Sequence, residues 1–250
     1  MGLLEVLGIS VVYPGSGEGH VIENLSFSVD AGEKIALIGA NGAGKSTLML
    51  ALVGLLPLHD GEVKVENVLL NKKNLSFVRQ KLGLVFQNPD DQLFMPTVFE
   101  DVLFGPKNYA ETADSANKNP ASKNKNVQKA IEDKALSIME NLEIAHLKDR
   151  MSHKLSGGEK RLAALASVLS TEPSMLLMDE PSAFLDPRAR RRLISVICTL
   201  SQACLIATHD LDFARLTCSR CLILNKGGIY RQGAIDNILD DKALLEECGL

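Results

Sequence analysis

The sequence predicts an α/β protein organised on a parallel sheet. Short apolar runs alternate along the chain with stretches of helical periodicity, the pattern expected of a parallel α/β sheet. Those runs are nearly continuous in their apolar residues, as strands covered on both faces should be, whereas a half-exposed strand would alternate. With 250 residues, 46% of them apolar and 23% charged, the chain can bury one large core or two closely joined lobes, and a disordered chain is excluded.

The first such strand is IALIG at residues 35–39, which runs into the glycine-rich GANGAGKS at 39–46 and a helix expected to begin near Lys45. LGLVF at 82–86 is the next, followed at once by the polar QNPDDQLF at 87–94. Residues 107–126 hold five Asn and four Lys with almost nothing to bury, so they are expected to form a mobile surface loop or a partner-binding one. Amphipathic helices fit residues 127–141, 158–169 and 187–200, with strands MLLMD at 175–179 and CLIAT at 204–208 between and after them.

Charge and punctuation narrow the function. The net charge is -4, from 27 basic and 31 acidic residues spread along the chain, so nothing suggests a nucleic-acid partner. The longest apolar run, residues 48–58, is well short of the roughly 18 residues that span a bilayer, and the first residues lack a basic signal-peptide start. A soluble cytosolic chain is the expectation. Met1-Gly2 invites a myristoylation reading, but Val6 stands where Ser or Thr is wanted. Five cysteines, Cys198, Cys204, Cys218, Cys221 and Cys248, suit a reducing compartment; Cys218 and Cys221 form a CxxC without the second pair that a structural zinc site needs.

Residues 39–46 fit GxxxxGK[ST] between a strand and a helix, the context the pattern requires. Glycines there let backbone N–H groups curl around phosphate oxygens, the helix start adds its positive dipole end, Lys45 supplies a full charge and Ser46 a magnesium ligand. The strand at 175–179 ends in Asp179-Glu180-Pro181, where Pro181 stops the ladder as two carboxylates emerge. Ligands of open parallel sheets sit outside the carboxyl ends of the strands, so Asp179 can hold Mg2+ through water and Glu180 can orient and deprotonate the attacking water. His209 and Gln87 end two further strands. At residues 155–161, LSGGEKR pairs Ser156 with Glu159 as a capping box before an apolar helix. A cap alone leaves Gly157 and Gly158 unexplained, since two glycines in a first turn cost roughly 1 kcal/mol each against Ala. A phosphate approaching that helix end would explain them, and because the first loop already cradles one, a second subunit is implied.

These motifs, in this order, resemble the nucleotide-binding subunit of ATP-binding-cassette (ABC) transporters over about residues 3–235. The resemblance implies a P-loop NTPase, ABC ATPase fold: a RecA-like core, an antiparallel β subdomain and an inserted α-helical subdomain at about 88–165, with residues 1–235 as one nucleotide-binding domain and 236–250 as a short helical tail. It assigns ATP to Gly39, Ala40, Asn41, Gly42, Ala43, Gly44, Lys45, Ser46 and Thr47, with Tyr13 stacking on adenine. Mg2+ falls to Ser46, Gln87 and Asp179, and catalysis to Glu180, His209 and Gln87. Leu155, Ser156, Gly157, Gly158 and Glu159 form the signature that acts on the other subunit's nucleotide, and Ser182 to Asp186 form the D-loop, where Phe184 stands in place of the usual glycine. Two such domains, identical or paralogous, close head to tail on ATP.

The stretch QNPDDQLFMPTVFEDVLFGP at 87–106 is similar to the ATPases of energy-coupling-factor (ECF-type) importers for cobalt, nickel and vitamins. That resemblance implies a peripheral subunit on the cytoplasmic face of the membrane, partnered by an integral membrane coupling protein and a substrate-binding membrane component. Asp90, Asp91, Gln92, Leu93, Phe94, Val98 and Phe99 would then form a groove for a coupling helix. A plain solvated turn at Asp90-Asp91-Gln92 is the blander reading. A soluble ABC ATPase, such as an iron-sulfur cluster assembly scaffold, shares LSGGE but not the 87–94 sequence, and a monomeric P-loop kinase would leave LSGGE and His209 idle.

Overall fold

The computed structural model describes residues 2–13, 20–117 and 125–250, with backbone only at 112–117. In chain order come β1 (Leu4–Val11), β2 (Ile22–Val29), β3 (Lys34–Ile38), α1 (Lys45–Leu52), β4 (Asp60–Val65), β5 (Val68–Leu69), α2 (Leu75–Lys81) and β6 (Leu82–Val85). Next are α3 (Val98–Asn117), α4 (Lys125–Asn141), α5 (Gly157–Leu169), β7 (Met175–Asp179), α6 (Pro187–Thr199) and β8 (Ala203–Ala207). The chain continues with α7 (Leu211–Thr217), β9 (Arg220–Asn225), β10 (Gly228–Ala234), α8 (Ile235–Leu239) and α9 (Lys242–Glu247).

Two compact units result. The first comprises Met1–Gln87, Pro173–Ala183 and Ile194–Leu250 and holds both sheets. One sheet has the order β10-β9-β3-β8-β7-β6; from β9 to β6 every pair is parallel, and β10 returns antiparallel on β9. The hairpin turn between them places Lys226 and Gly227 at φ 46° and 80°, the positive values a two-residue I′ loop requires. The parallel strands are buried almost throughout, Ile35, Leu37, Leu177 and Leu205 among them, which accounts for their unbroken apolar spelling. The second sheet is antiparallel, in the order β2-β1-β4-β5. Its strands alternate instead, β2 burying Ile22, Leu25, Phe27 and Val29 while the residues between them face outward.

The second unit comprises Asn88–Glu172 and Phe184–Leu193. Here α3, α4 and α5 pack on one another around Val98, Val102, Leu103, Met139 and Leu162. The loop expected at 107–126 is corrected over most of its length: residues 107–117 continue α3, and Lys125 and Asn126 open α4. A lack of apolar side chains argues against burial but not against a helix, whose backbone bonds are internal. Residues 118–124 lie outside the described residues. Among those described, no helix is long and apolar enough to cross a membrane.

Candidate functional site

Four neighbouring parallel strands, β3, β8, β7 and β6, end on the same edge of the sheet, and each delivers a residue singled out above. The loop at 39–46 leaves β3, Thr208 and His209 follow β8, Asp179 and Glu180 close β7, and Gln87 lies two residues beyond β6. The sheet topology alone therefore gathers residues more than a hundred positions apart.

In the glycine loop, Lys45 is buried and its Nζ donates to the carbonyls of Gly39 at 2.6 Å and Ala40 at 3.2 Å. The ammonium is thus curled into its own loop. A Cβ at Gly39 would come within 2.4 Å of the Leu224 carbonyl oxygen, and Gly44 has φ 104° with Ile22 Cδ1 2.8 Å from a Cβ position. Those two glycines are demanded by packing and backbone. A Cβ at Gly42 would meet nothing within 4 Å among the described residues, which leave room for a ligand on that side of the loop. Ser46 is exposed beside it. Tyr13 lies past the end of β1 rather than within the strand, and its hydroxyl stands 3.1 Å from Thr47 Oγ1, which sets the aromatic ring at the start of α1.

Glu180 is buried, at φ 45°, a left-handed backbone that a non-glycine residue adopts at some cost. Its N–H donates to the Ala207 carbonyl at 2.9 Å. Its Oε2 accepts from Thr208 Oγ1 at 3.3 Å and the His209 N–H at 3.4 Å, with His209 Nδ1 at 2.9 Å. Thr208 was missing from the sequence reading; only its place beside His209 could have suggested it. Ser182 Oγ donates to Asp210 Oδ2 at 3.3 Å, tying the start of the D-loop to the N-cap of α7.

In the second unit, Ser156 and Glu159 form the expected capping box on α5: Ser156 N–H and Oγ donate to Glu159 Oε2 at 2.8 and 2.7 Å. Those bonds hold the Glu159 carboxyl below the usual range. The two glycines after Ser156 differ. A Cβ on Gly158 would meet Ala189 Cβ at 2.7 Å, so Gly158 is required where α5 meets α6, whereas one on Gly157 would meet nothing within 4 Å among the described residues. A ligand explanation is needed for Gly157 alone, which corrects the joint explanation from the sequence. Asp186 caps α6, accepting from the N–H groups of Ala189 and Arg188, which lower its pKa.

The polar cluster at 87–94 is divided in its tasks. Asn88 caps the turn Pro89–Asp91; Asp90 pairs with Lys160 at 2.6 Å; Gln92 Nε2 donates to the Ala164 carbonyl at 2.7 Å and Ser167 Oγ at 3.0 Å. Gln92 is therefore a tether to α5, not a groove wall, and Leu93 and Val98 lie in the interior, so they line no open groove either. Asp91 is exposed and Phe99 half-buried. The exposed apolar feature is a pair: Phe94, 64% exposed, meets Phe104, 45% exposed, edge to face with ring centroids 4.9 Å apart. Phe104 was missed, because in sequence it reads as part of an ordinary helix face. Asp101 supports the pair from beneath, its Oδ1 accepting from the N–H groups of Phe94 and Met95 at 3.0 Å each, while burial raises its pKa. Burial also pushes the Cys218 thiol up to about 11 and that of Cys221 to about 12, so neither is poised as a thiolate.

A glycine loop that leaves a parallel strand and turns into a helix at a buried lysine defines the P-loop NTPase fold, and the added antiparallel sheet and helical unit are those of its ATP-binding-cassette form. The chain belongs to the ABC transporter family, whose model matches residues 22–183. A Gloeobacter violaceus protein named as an ABC transporter ATP-binding protein is 45% identical over 229 residues, 92% of this chain and 88% of that one. The energy-coupling factor transporter ATP-binding protein EcfA of Carboxydothermus hydrogenoformans is 35% identical over 250 residues, covering 99% of this chain and 86% of its own. Among solved structures, CbiO1 of Clostridium perfringens, part of the ABC transporter complex CbiONQ, superposes with a TM-score of 0.78 at 30% identity, over 98% of this chain and 94% of that one.

Proposed function

We propose that this chain is the ATP-binding and ATP-hydrolysing subunit of an energy-coupling-factor-type importer, carrying a transition-metal ion such as cobalt or nickel, or a vitamin. The observation that carries the ATPase reading is Glu180, buried at a strand end and held through Oε2 by Thr208 and His209 on the adjacent strand end. A carboxylate so oriented, on the sheet edge that also carries the glycine loop, suits accepting a proton from a water aimed at a terminal phosphate. The loop N–H groups and the first turn of α1 would take the β- and γ-phosphates, with Lys45 exchanging its loop carbonyls for phosphate oxygens. Tyr13 would cover the adenine.

Mg2+ fits the donor set on this edge: Ser46, Asp179 and Gln87 offer oxygen only, and no cluster of three or more His, Cys, Asp or Glu exists among the described residues to form an all-protein cage. When bound with nucleotide, it neutralises charge on the phosphate oxygens. Ser46, Gln87 and Asp179 would hold that ion.

The importer reading draws on the likeness to EcfA and CbiO1 and on the exposed Phe94–Phe104 pair, which offers two rings to an amphipathic coupling helix. Two copies, or this chain and a paralogue, would close head to tail so that Ser156 and Gly157 of each reach the other's γ-phosphate. The subunit would then sit peripherally on the cytoplasmic face of the membrane. Co-purification from solubilised membranes, joined to phosphate release and uptake of cobalt, nickel or vitamin, tests the whole reading. Integral membrane partners and ATP-dependent uptake are the expected result; soluble partners alone would replace it with a cluster-assembly or other non-transport role.

A further inference from the structure

Two histidines outside every motif described above meet on the antiparallel sheet of the first unit. His20 stands just before β2 and His59 just before β4, the two strands that flank β1. Backbone bonds fix both approaches: the His59 N–H donates to the Ser10 carbonyl at 2.8 Å, and the N–H of Val21, next to His20, donates to the Val11 carbonyl at 2.9 Å. The imidazoles are exposed, with ring centroids 5.1 Å apart and planes tilted by 53°. A tilt of that size is no face-to-face stack, and no ring nitrogen of either residue hydrogen-bonds another described residue.

We propose that His20 and His59 form a binding site for a divalent transition-metal ion of the zinc and cobalt class, which ties β2 to β4 across the end of β1. The spacing suits two imidazoles on one ion. With metal–nitrogen bonds of about 2.0–2.1 Å and each ring centre about 1.2 Å beyond its nitrogen, coordination angles of roughly 90–110° put the centroids about 4.5–5.3 Å apart. The observed 5.1 Å lies towards the tetrahedral end of that range. Histidine χ2 is broad, so one nitrogen of each exposed ring can turn to the point between them. Imidazole selects borderline ions, whereas Mg2+ takes oxygen ligands. Among the described residues no third His, Cys, Asp or Glu joins the pair. Water fills the remaining positions, so the ion exchanges with solution instead of being a permanent part of the fold. The inference stands apart from the transport reading, because both ligands belong to this chain and the metal is tested alone.

The test uses the full chain without a polyhistidine tag and without nucleotide, in a Cys198→Ser background, since Cys198 is the exposed thiol. Titration with Co2+ should raise visible d–d absorption that saturates at one ion per chain, and Zn2+ should displace it while excess Mg2+ should not. His20→Ala and His59→Ala should each weaken binding by about tenfold or more, because losing a ligand costs at least as much as losing a group that merely orients one. His146→Ala with His153→Ala, which alters two histidines elsewhere in the chain, should leave it unchanged. Zn2+ should raise the melting temperature of the parent and of that control, but not of either single variant. Metal-free melts should match throughout, because His20 and His59 are exposed, and this shows that the variants are folded. A parent that takes up no Co2+, or folded single variants that bind it as tightly as the parent, would overturn the inference.

Discussion

Oε2 of Glu180 lies 2.9 Å from Nδ1 of His209, across the carboxyl ends of two adjacent parallel strands. Asp179 pairs with Ala207 in the register, so the next residues on each strand, Glu180 and Thr208, emerge together and bring His209 behind them. With Nδ1 donating to the carboxylate, a neutral His209 ring keeps Nε2 as its acceptor. One oxygen of Glu180 is thereby committed to orientation, and in the proposed hydrolysis the other would receive the proton.

Glu180→Gln keeps the shape and the acceptor for His209 but removes the base. Hydrolysis should fall by about 10² to 10⁴, while ATP still closes the pair. Phosphate release and size-exclusion chromatography with MgATP read the two effects separately. Normal turnover in this variant would remove Glu180 from the base role.

Lys45→Ala deletes the cation that the loop now stores against its own carbonyls. MgATP affinity should drop by about tenfold or more, or turnover should be lost, because a charge-assisted phosphate contact disappears. Nucleotide titration against a variant shown folded by its melting curve is the check. Wild-type turnover would be incompatible with the site as drawn.

Much of the parallel sheet was legible from the chain, for a physical reason: strands covered on both faces spell out apolar residues without interruption, and their ends are punctuated by Gly39, Pro181 and His209. The antiparallel strands were named only through the family resemblance, since β2 alternates and β5 is two residues long. Residues 107–117 were misjudged because composition reports burial, whereas α3 there needs only its own backbone bonds. Side-chain partnerships were the least legible part. Nothing in LSGGEK says that Lys160 reaches Asp90, and nothing in the apolar look of Leu93 and Val98 separates a groove wall from an interior residue.

The Phe94–Phe104 pair predicts a loss of assembly without loss of fold. Phe94→Asp or Phe104→Asp should disrupt co-purification with the membrane component, an aromatic anchor commonly contributing about 2 kcal/mol to association, while MgATP binding by the isolated chain stays normal. Both rings are exposed, so melting temperatures should change little. Normal assembly and uptake in either variant would move the docking surface elsewhere.

Glu159 supplies a pH signature for the signature helix. Its folded pKa is lowered by the Ser156 bonds, so its stabilisation is present in full above the unfolded value, about 4.3, and is lost as pH falls through the folded one. Glu159→Ala should cost about 0.5 to 1 kcal/mol near neutral pH. The gap to the parent in denaturant melts should narrow towards pH 3. A gap independent of pH would mean that Glu159 acts by packing rather than by its charge.

Asp90 and Gln92 both hold α5, at Lys160 and at Ala164 with Ser167, points spaced one and two turns along a single face of that helix. The segment after Gln87 is thereby strapped to the helix whose first turn is the signature. The two ties differ in strength. Asp90 is exposed, so Asp90→Asn should cost little, within about 1 kcal/mol. Gln92 is half-buried and loses two bonds, so Gln92→Ala should cost about 0.5 to 1.5 kcal/mol; Ser167 Oγ still donates to the Ala164 carbonyl at 2.9 Å and limits the damage. Hydrolysis by the isolated chain should persist in the double variant, because neither side chain is among the groups assigned to the phosphate. In the assembled transporter, however, movement of the docked 87–94 segment would no longer carry the signature with it. Uptake per phosphate released should therefore fall in the double variant more than in either single one. A double variant that keeps the parent ratio of uptake to phosphate release would show that the strap holds the helical unit together without passing motion through it.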